Sequence, residues 1–349
     1  MSATERNIHL GLLGASLALT VWVFGAQPRS AEQATHSGAL SQGREQPSPL
    51  SILPPDSAFV LSVDVRALAR APLGAFLAER LGRTAGASKL ARSCGFDPLT
   101  RLDQLALAVP SANLAAQEQP QDFGIVASGR FSGAEISHCA KTAIAERGGE
   151  PVQSKLGSFD SVRDRKASSG EIAAKDGLVV VSDGTYFRKL LDSAEGKGSA
   201  RPPGASDLRN DPDVHDVRDL RHAELRRTLG PAPLLATWLP GEGWLERVTG
   251  GETNVRLSPL SALRTVGARI DVGKTAQVLV LLECDDSEGA TRISSWLGEL
   301  RSSLELLPLD PTLVLLATRI AVNQSGASLR LSLELSEAEL GPALDALGQ

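Results

Sequence analysis

Three segments of this chain carry the same pattern. "IVASGRFSGAEISHCA", "VLVLLECDDSEGATRIS" and "LRLSLELSEAELGPAL" each run from a strand, through a polar turn, into a capped amphipathic helix. In the first, Ser132 and Glu135 have the spacing of a capping box, in which each side chain satisfies the other residue's backbone N–H. Ser336 and Glu339 repeat it in the third. In the second, Ala290, Ile293, Leu297, Leu300, Leu304 and Leu307 recur at threes and fours, a buried helical stripe. The strand "ASLRLSLEL" places Leu329, Leu331, Leu333 and Leu335 on one face and Ser328, Arg330, Ser332 and Glu334 on the other. Such a unit can bury its apolar side only by laying the helix on a sheet. The expected fold is therefore α+β. It has antiparallel sheet covered on one face by amphipathic helices, with the other face left to water or a partner. The order strand–helix–strand–strand–helix–strand in the first half matches a ferredoxin-like unit, and two related domains of that kind are expected.

The ends and joints of this layout are marked by composition. Residues 10–26, "LGLLGASLALTVWVFGA", form an uncharged apolar run. Counted from Ile8, the run approaches the roughly 20 residues that span a bilayer, and it is long for a signal-peptide core. The cleavage pattern is poor, because Phe24 would sit at −3 if Ala26 were −1. An uncleaved signal anchor over residues 1–26 is expected, with a cleaved signal peptide as the alternative. Residues 27–50 are rich in Ser, Gln, Gly, Pro and Glu and read as a flexible tether. The first domain then covers 51–192, a Gly/Pro/Ser-rich linker covers 193–207, and the second domain covers 208–349. The second opens near Asp211-Pro212, a helix N-cap followed by proline at the first helical position. Strands are expected over Ser57–Val65, Leu102–Val109, Phe123–Phe131 and Leu178–Ser182, and two more come after the helix "DSEGATRISSWLGELRSSLELL" at 286–307.

One stretch invites a nucleotide-binding reading. "TVGARIDVGKTAQ" ends in Gly273-Lys274-Thr275, as a phosphate-binding loop does. Five residues separate Gly267 from Gly273, where that motif needs four. The chain continues into the strand-like "AQVLVLLEC" and not into a helix whose N-terminus could meet phosphate. The stretch reads as a β-hairpin with a tight turn at Gly273-Lys274, in which Gly273 takes a positive φ. No nucleotide is expected.

Charge and composition argue against further classes. Net charge is −5 and aromatics are 4% of residues, so neither a basic stripe nor a stacking surface for nucleic acid is evident. No nucleophile elbow or zinc-protease motif is present. His215, Asp219 and His222 fall near one helical face, a spacing that could hold a divalent ion. The same segment carries Val214, Val217, Leu220, Leu225 and Leu229 as a core stripe among solvated charges, and that reading is preferred. No metal or cofactor is expected. Trp238 and Trp244 flank a Pro-Gly-Glu-Gly turn in "TWLPGEGW" and are the candidate partner or ligand contacts, against the simpler reading of rings tucked into the core. There are three cysteines. Cys94 and Cys139 are the expected disulfide, and Cys284, closing an apolar strand, the expected buried thiol. Spacing alone does not choose among pairings. His138 beside Cys139 points about 100° away on a helix, which makes a poor thiol–base pair.

The segments "LPPDSAFVLSVDV", "CGFDPLTRLDQLALAV" and "TWLPGEGW" resemble uncharacterised exported bacterial proteins with one N-terminal span and two α+β repeats. That resemblance covers most of residues 50–349 and implies no catalytic residue. The expectation is a non-enzymatic binding or scaffold protein of the bacterial cell envelope. It is held in the inner membrane by its N-terminal helix, with the body outside the cytoplasm and an envelope protein as its partner. An enzyme with an unrecognised, hydrolytic site is the alternative.

Overall fold

The computed structural model describes residues 47–77, 91–97, 99–110, 123–167, 170–197, 214–248, 255–304 and 310–347. The apolar run, residues 27–46 of the tether and most of the 193–207 linker lie outside them; the end of the expected tether, Pro49-Leu50, is already helical. Among the described residues no helix is long and apolar enough to cross a membrane.

The first half contains α1 (Pro49–Ile52), β1 (Ser57–Asp64), α2 (Val65–Arg70), β2 (Leu102–Pro110), β3 (Gly124–Gly129) and α3 (Gly133–Glu146). β4 (Pro151–Leu156), β5 (Phe159–Asp164), β6 (Glu171–Lys175), β7 (Leu178–Ser182) and α4 (Gly184–Ala194) complete it. The second half contains α5 (Val214–Leu229), β8 (Leu234–Trp238), α6 (Trp244–Val248), β9 (Leu263–Val272), β10 (Ala276–Cys284) and α7 (Ser287–Ser303). It ends with α8 (Pro311–Arg319), β11 (Ala321–Ser325), β12 (Ser328–Leu335) and α9 (Glu337–Leu347). Among the described residues every strand pairing is antiparallel, in one 12-stranded sheet ordered β11-β12-β10-β9-β8-β1-β2-β3-β7-β6-β5-β4.

The α+β class and the antiparallel sheet are as expected, but the connectivity differs from a ferredoxin-like unit. β1 and β2 are direct antiparallel neighbours, where a split β-α-β would make strands joined by a helix parallel. Among its described residues the segment between them carries the short α2, helical turns at residues 74–77 and 91–94 and a 3-10 turn at Leu99–Arg101, and it returns as a wide hairpin. Both halves share one scheme. A three-strand meander (β1-β2-β3 or β8-β9-β10) leads to a capped helix, α3 or α7. A hairpin (β6-β7 or β11-β12) then comes back beside the third strand, and α4 or α9 closes the unit. The first half adds β4 and β5 outside β6.

The halves meet strand to strand. β1 pairs with β8 in the register Phe59↔Trp238, Leu61↔Ala236, Val63↔Leu234, so the sheet runs unbroken through the chain. Leu239 N–H donates to Ala58 C=O at 2.8 Å and Asp64 N–H to Pro233 C=O at 2.7 Å, closing both ends of the seam.

Helices cover both faces, not the single face expected. On one side α1 and α4 pack on Ala108, Val126, Ala173 and Val180, and α5 packs Leu225 and Leu229 on Leu281. On the other, α2 sets Leu68 against Leu61, Val63, Leu105 and Leu107, α3 covers Val162, and α7 covers Leu329. A sheet covered twice needs strands apolar on both sides, and Leu105 to Ala108 and Gly124 to Ala127 are buried without a break. The small residues let helices come close. A Cβ on Gly124 would lie 2.6 Å from Leu190 Cδ1, and one on Gly267 would lie 2.9 Å from Leu229 Cδ1. Helix starts are fixed by side chains. Ser132 and Glu135 form the expected capping box, and Asp183 and Asp286 cap α4 and α7.

The 265–284 hairpin is present with a different turn. Val272 pairs with Ala276, leaving Gly273, Lys274 and Thr275 as a three-residue loop. Gly273 N–H donates to Thr275 C=O at 2.9 Å, and Gly273 C=O accepts from Leu73 N–H at 3.3 Å. Gly273 is not in the left-handed region, and a Cβ there would meet only Thr275 O at 3.8 Å. The expected cost of a side chain at this turn therefore falls away. Gly273→Ala and Lys274→Ala should each change stability by no more than about 0.5 kcal/mol in urea unfolding, and ATP should not raise the Tm of either. A loss well beyond that range at Gly273 would contradict the three-residue turn.

Candidate functional site

The most concentrated polar chemistry lies under the seam between the halves. Ser57 opens β1 and is 1% exposed. Its hydroxyl donates to Pro54 C=O at 2.7 Å and so must accept at 2.9 Å from the Tyr186 hydroxyl on α4. His222 on α5 is 2% exposed. Its Nε2 lies 3.0 Å from Ser57 C=O, and its Nδ1 lies 2.7 Å from Thr237 Oγ1 on β8. A carbonyl only accepts, so Nε2 carries a proton, and in the neutral ring Nδ1 accepts a hydrogen bond from the Thr237 hydroxyl. The chain Tyr186–Ser57–His222–Thr237 thus ties two strands and two helices from both halves. Burial drives the Tyr186 pKa well above its usual value, against the opposing effect of its Ser57 bond, and holds the phenol as a donor.

This network is not built like a nucleophile and its base. The imidazole meets the Ser57 carbonyl, not its hydroxyl, and the serine proton points to the backbone of Pro54. Its chemistry is cohesive: each bonded group in it relieves another of burial without a partner.

His222 belongs to the helical face with the metal-like spacing, and the structure turns it into the core. The side chains of His215 and Asp219 lie outside the described residues. Among the described residues no group of His, Cys, Asp and Glu has metal-binding geometry.

Beside this network, α5, β9 and β10 border a cleft of about 170 Å³ lined by Arg221, Glu224, Leu225, Arg264, Thr265 and Glu283. Thr265 donates to Glu283 at 2.8 Å and Arg264 pairs with Asp285 at 3.2 Å. Two guanidinium groups and two carboxylates balance there, and nothing in the sequence singles out the place.

Trp238, at the end of β8, and Trp244, opening α6, come together as an edge-to-face pair with centroids 4.9 Å apart and planes at 84°. Both are half-buried and pack against the cluster of Leu263, Ala290, Ile293 and Leu329. Among the described residues the buried Trp244 Nε1 donor meets no acceptor.

No family model matches the chain, and neither does any curated protein. Crystal form I of TP0453 is similar in structure. It is 10% identical with a TM-score of 0.42, over 86% of this chain and 97% of that one.

The cysteines fall as expected. Cys94 and Cys139 are joined by a disulfide that fastens the helical turn at residues 91–94 to α3, and Cys284 is a buried free thiol. Burial first, then Asp285 and Asp286, pushes the Cys284 pKa up, so this sulfur is a poor nucleophile.

Proposed function

We propose that the protein is a binding or scaffold component of the bacterial cell envelope, exported and held to the inner membrane by its N-terminal apolar segment, rather than an enzyme. The Cys94–Cys139 disulfide carries this reading, because such bonds persist in oxidising compartments outside the cytoplasm. The apolar run with a polar tether after it supports it. Its two halves, with their common succession of meander, capped helix, hairpin and helix, descend from a duplicated unit.

Trp238 and Trp244 are the contact for an envelope protein partner. They are half-buried aromatic rings beside a turn, the kind of amphipathic anchor that dominates binding energy at interfaces. A photo-crosslinking residue placed at Glu242, exposed in that turn, should trap a defined envelope protein in intact cells. The same residue at Lys274, on the hairpin loop, should not. Equal capture at both positions, or none at Glu242, would remove this contact from the proposal.

A further inference from the structure

We infer that the β11 edge of the sheet is a self-pairing surface, through which two copies of this chain join β11 to β11 in antiparallel register and continue the sheet across a two-fold axis. The two ends of the sheet differ. β4 begins with Pro151 and carries Lys155, both of which discourage strand addition. β11 reads Ala-Val-Asn-Gln-Ser, with neither proline nor charge. Its position in the common scheme is that of β6, and β6 is covered on its outer side by β5. Among the described residues no strand takes that place beside β11.

The register defines which groups are free. Ser325 pairs with Ser328 around the two-residue loop Gly326-Ala327, so Ser325, Asn323 and Ala321 turn their backbone groups toward β12. Val322 and Gln324 turn theirs outward. The edge stops at Ile320, whose carbonyl is taken by Arg301 on α7. Two outward residues flanking one inward residue make the edge self-complementary. Placed antiparallel about Asn323, Val322 of one copy meets Gln324 of the other, each pair exchanging both N–H···O=C bonds. An extended segment of another protein could meet the same backbone groups, but an uncharged edge meets its own copy without repulsion between like charges, which favours a second copy.

In this register the two Asn323 residues form a non-hydrogen-bonded pair with Cα atoms about 4.5 Å apart, within reach of a disulfide. Two Ala321 residues would be about 14 Å apart, beyond reach. The native cysteines do not interfere, because Cys94 and Cys139 are bonded and Cys284 is buried.

The test uses the full chain, purified in detergent and oxidised with a copper catalyst. Asn323→Cys should give a disulfide-linked homodimer whose yield rises with protein concentration, while Ala321→Cys stays monomeric. Val322→Pro in the Asn323→Cys background should abolish the crosslink by removing an outward N–H, at some cost in Tm because the Val322 side chain packs against the cluster of Leu263, Ala290, Ile293 and Leu329. Asn323→Lys, an exposed change, should lower the dimer fraction in sedimentation without cysteine chemistry. A monomeric Asn323→Cys, an equal crosslink through Ala321→Cys, or an Asn323→Lys that sediments like the native protein would each overturn the inference.

Discussion

Replacing His222 by alanine is expected to destabilise the protein by about 2–4 kcal/mol in urea unfolding, among the largest effects of any single polar substitution here. The change opens a cavity beneath the seam and takes the imidazole from Ser57 C=O and Thr237 Oγ1 at once. Thr237→Val removes one of those bonds alone and should cost less. Because both act on one contact, the double variant should fall short of the sum, with a coupling of about 0.5–2 kcal/mol. Additive losses would mean that the imidazole and the hydroxyl do not depend on each other.

The second large effect belongs to the disulfide. The bridge spans a sequence separation of 45 residues, for which the loss of chain entropy in the unfolded state corresponds to about 4 kcal/mol. Cys139→Ser should lower stability by about 2–4 kcal/mol. Reduction of the native protein should reproduce that loss, and Cys139→Ser should then be insensitive to reductant. Peptide mapping of the alkylated, non-reduced protein should show Cys94 joined to Cys139, with Cys284 labelled only after unfolding. Labelling of Cys284 in the folded state would contradict its burial.

Local chemistry makes much of this structure legible. The capping pair Ser132/Glu135, the alternating Leu329–Leu335 strand and the Ala290/Ile293 stripe are readable because each is decided within a few residues. The helix at Pro311–Arg319 is not among the expected elements, although Asp310-Pro311 is the same cap-and-proline signal as Asp211-Pro212. The apolar run "TLVLLATRIAV" hides it, since a short run of that kind has no periodicity to separate helix from strand.

The features that stay hidden depend on contacts distant in sequence. Nothing local says that β1 pairs with β8, that both faces of the sheet are covered, or that β1 and β2 are neighbours. His222 shows the same limit at the site. In sequence it sits among charges at a metal-like spacing. Its partners, Ser57 and Thr237, lie in two different strands that only the seam brings together. The turn at Gly273 departs from expectation for a smaller reason: one residue of register, Val272↔Ala276, decides between a two-residue and a three-residue loop.

The central proposal is that this body lies outside the cytoplasm and stays attached to the inner membrane. A reporter active only in the cytoplasm, fused after Gln349 and assayed in intact cells, addresses it most directly when paired with alkaline extraction of the membranes. The fusion should be silent, and the chain should remain in the extracted membrane pellet. Full reporter activity, or release of the chain into the soluble fraction, would contradict it.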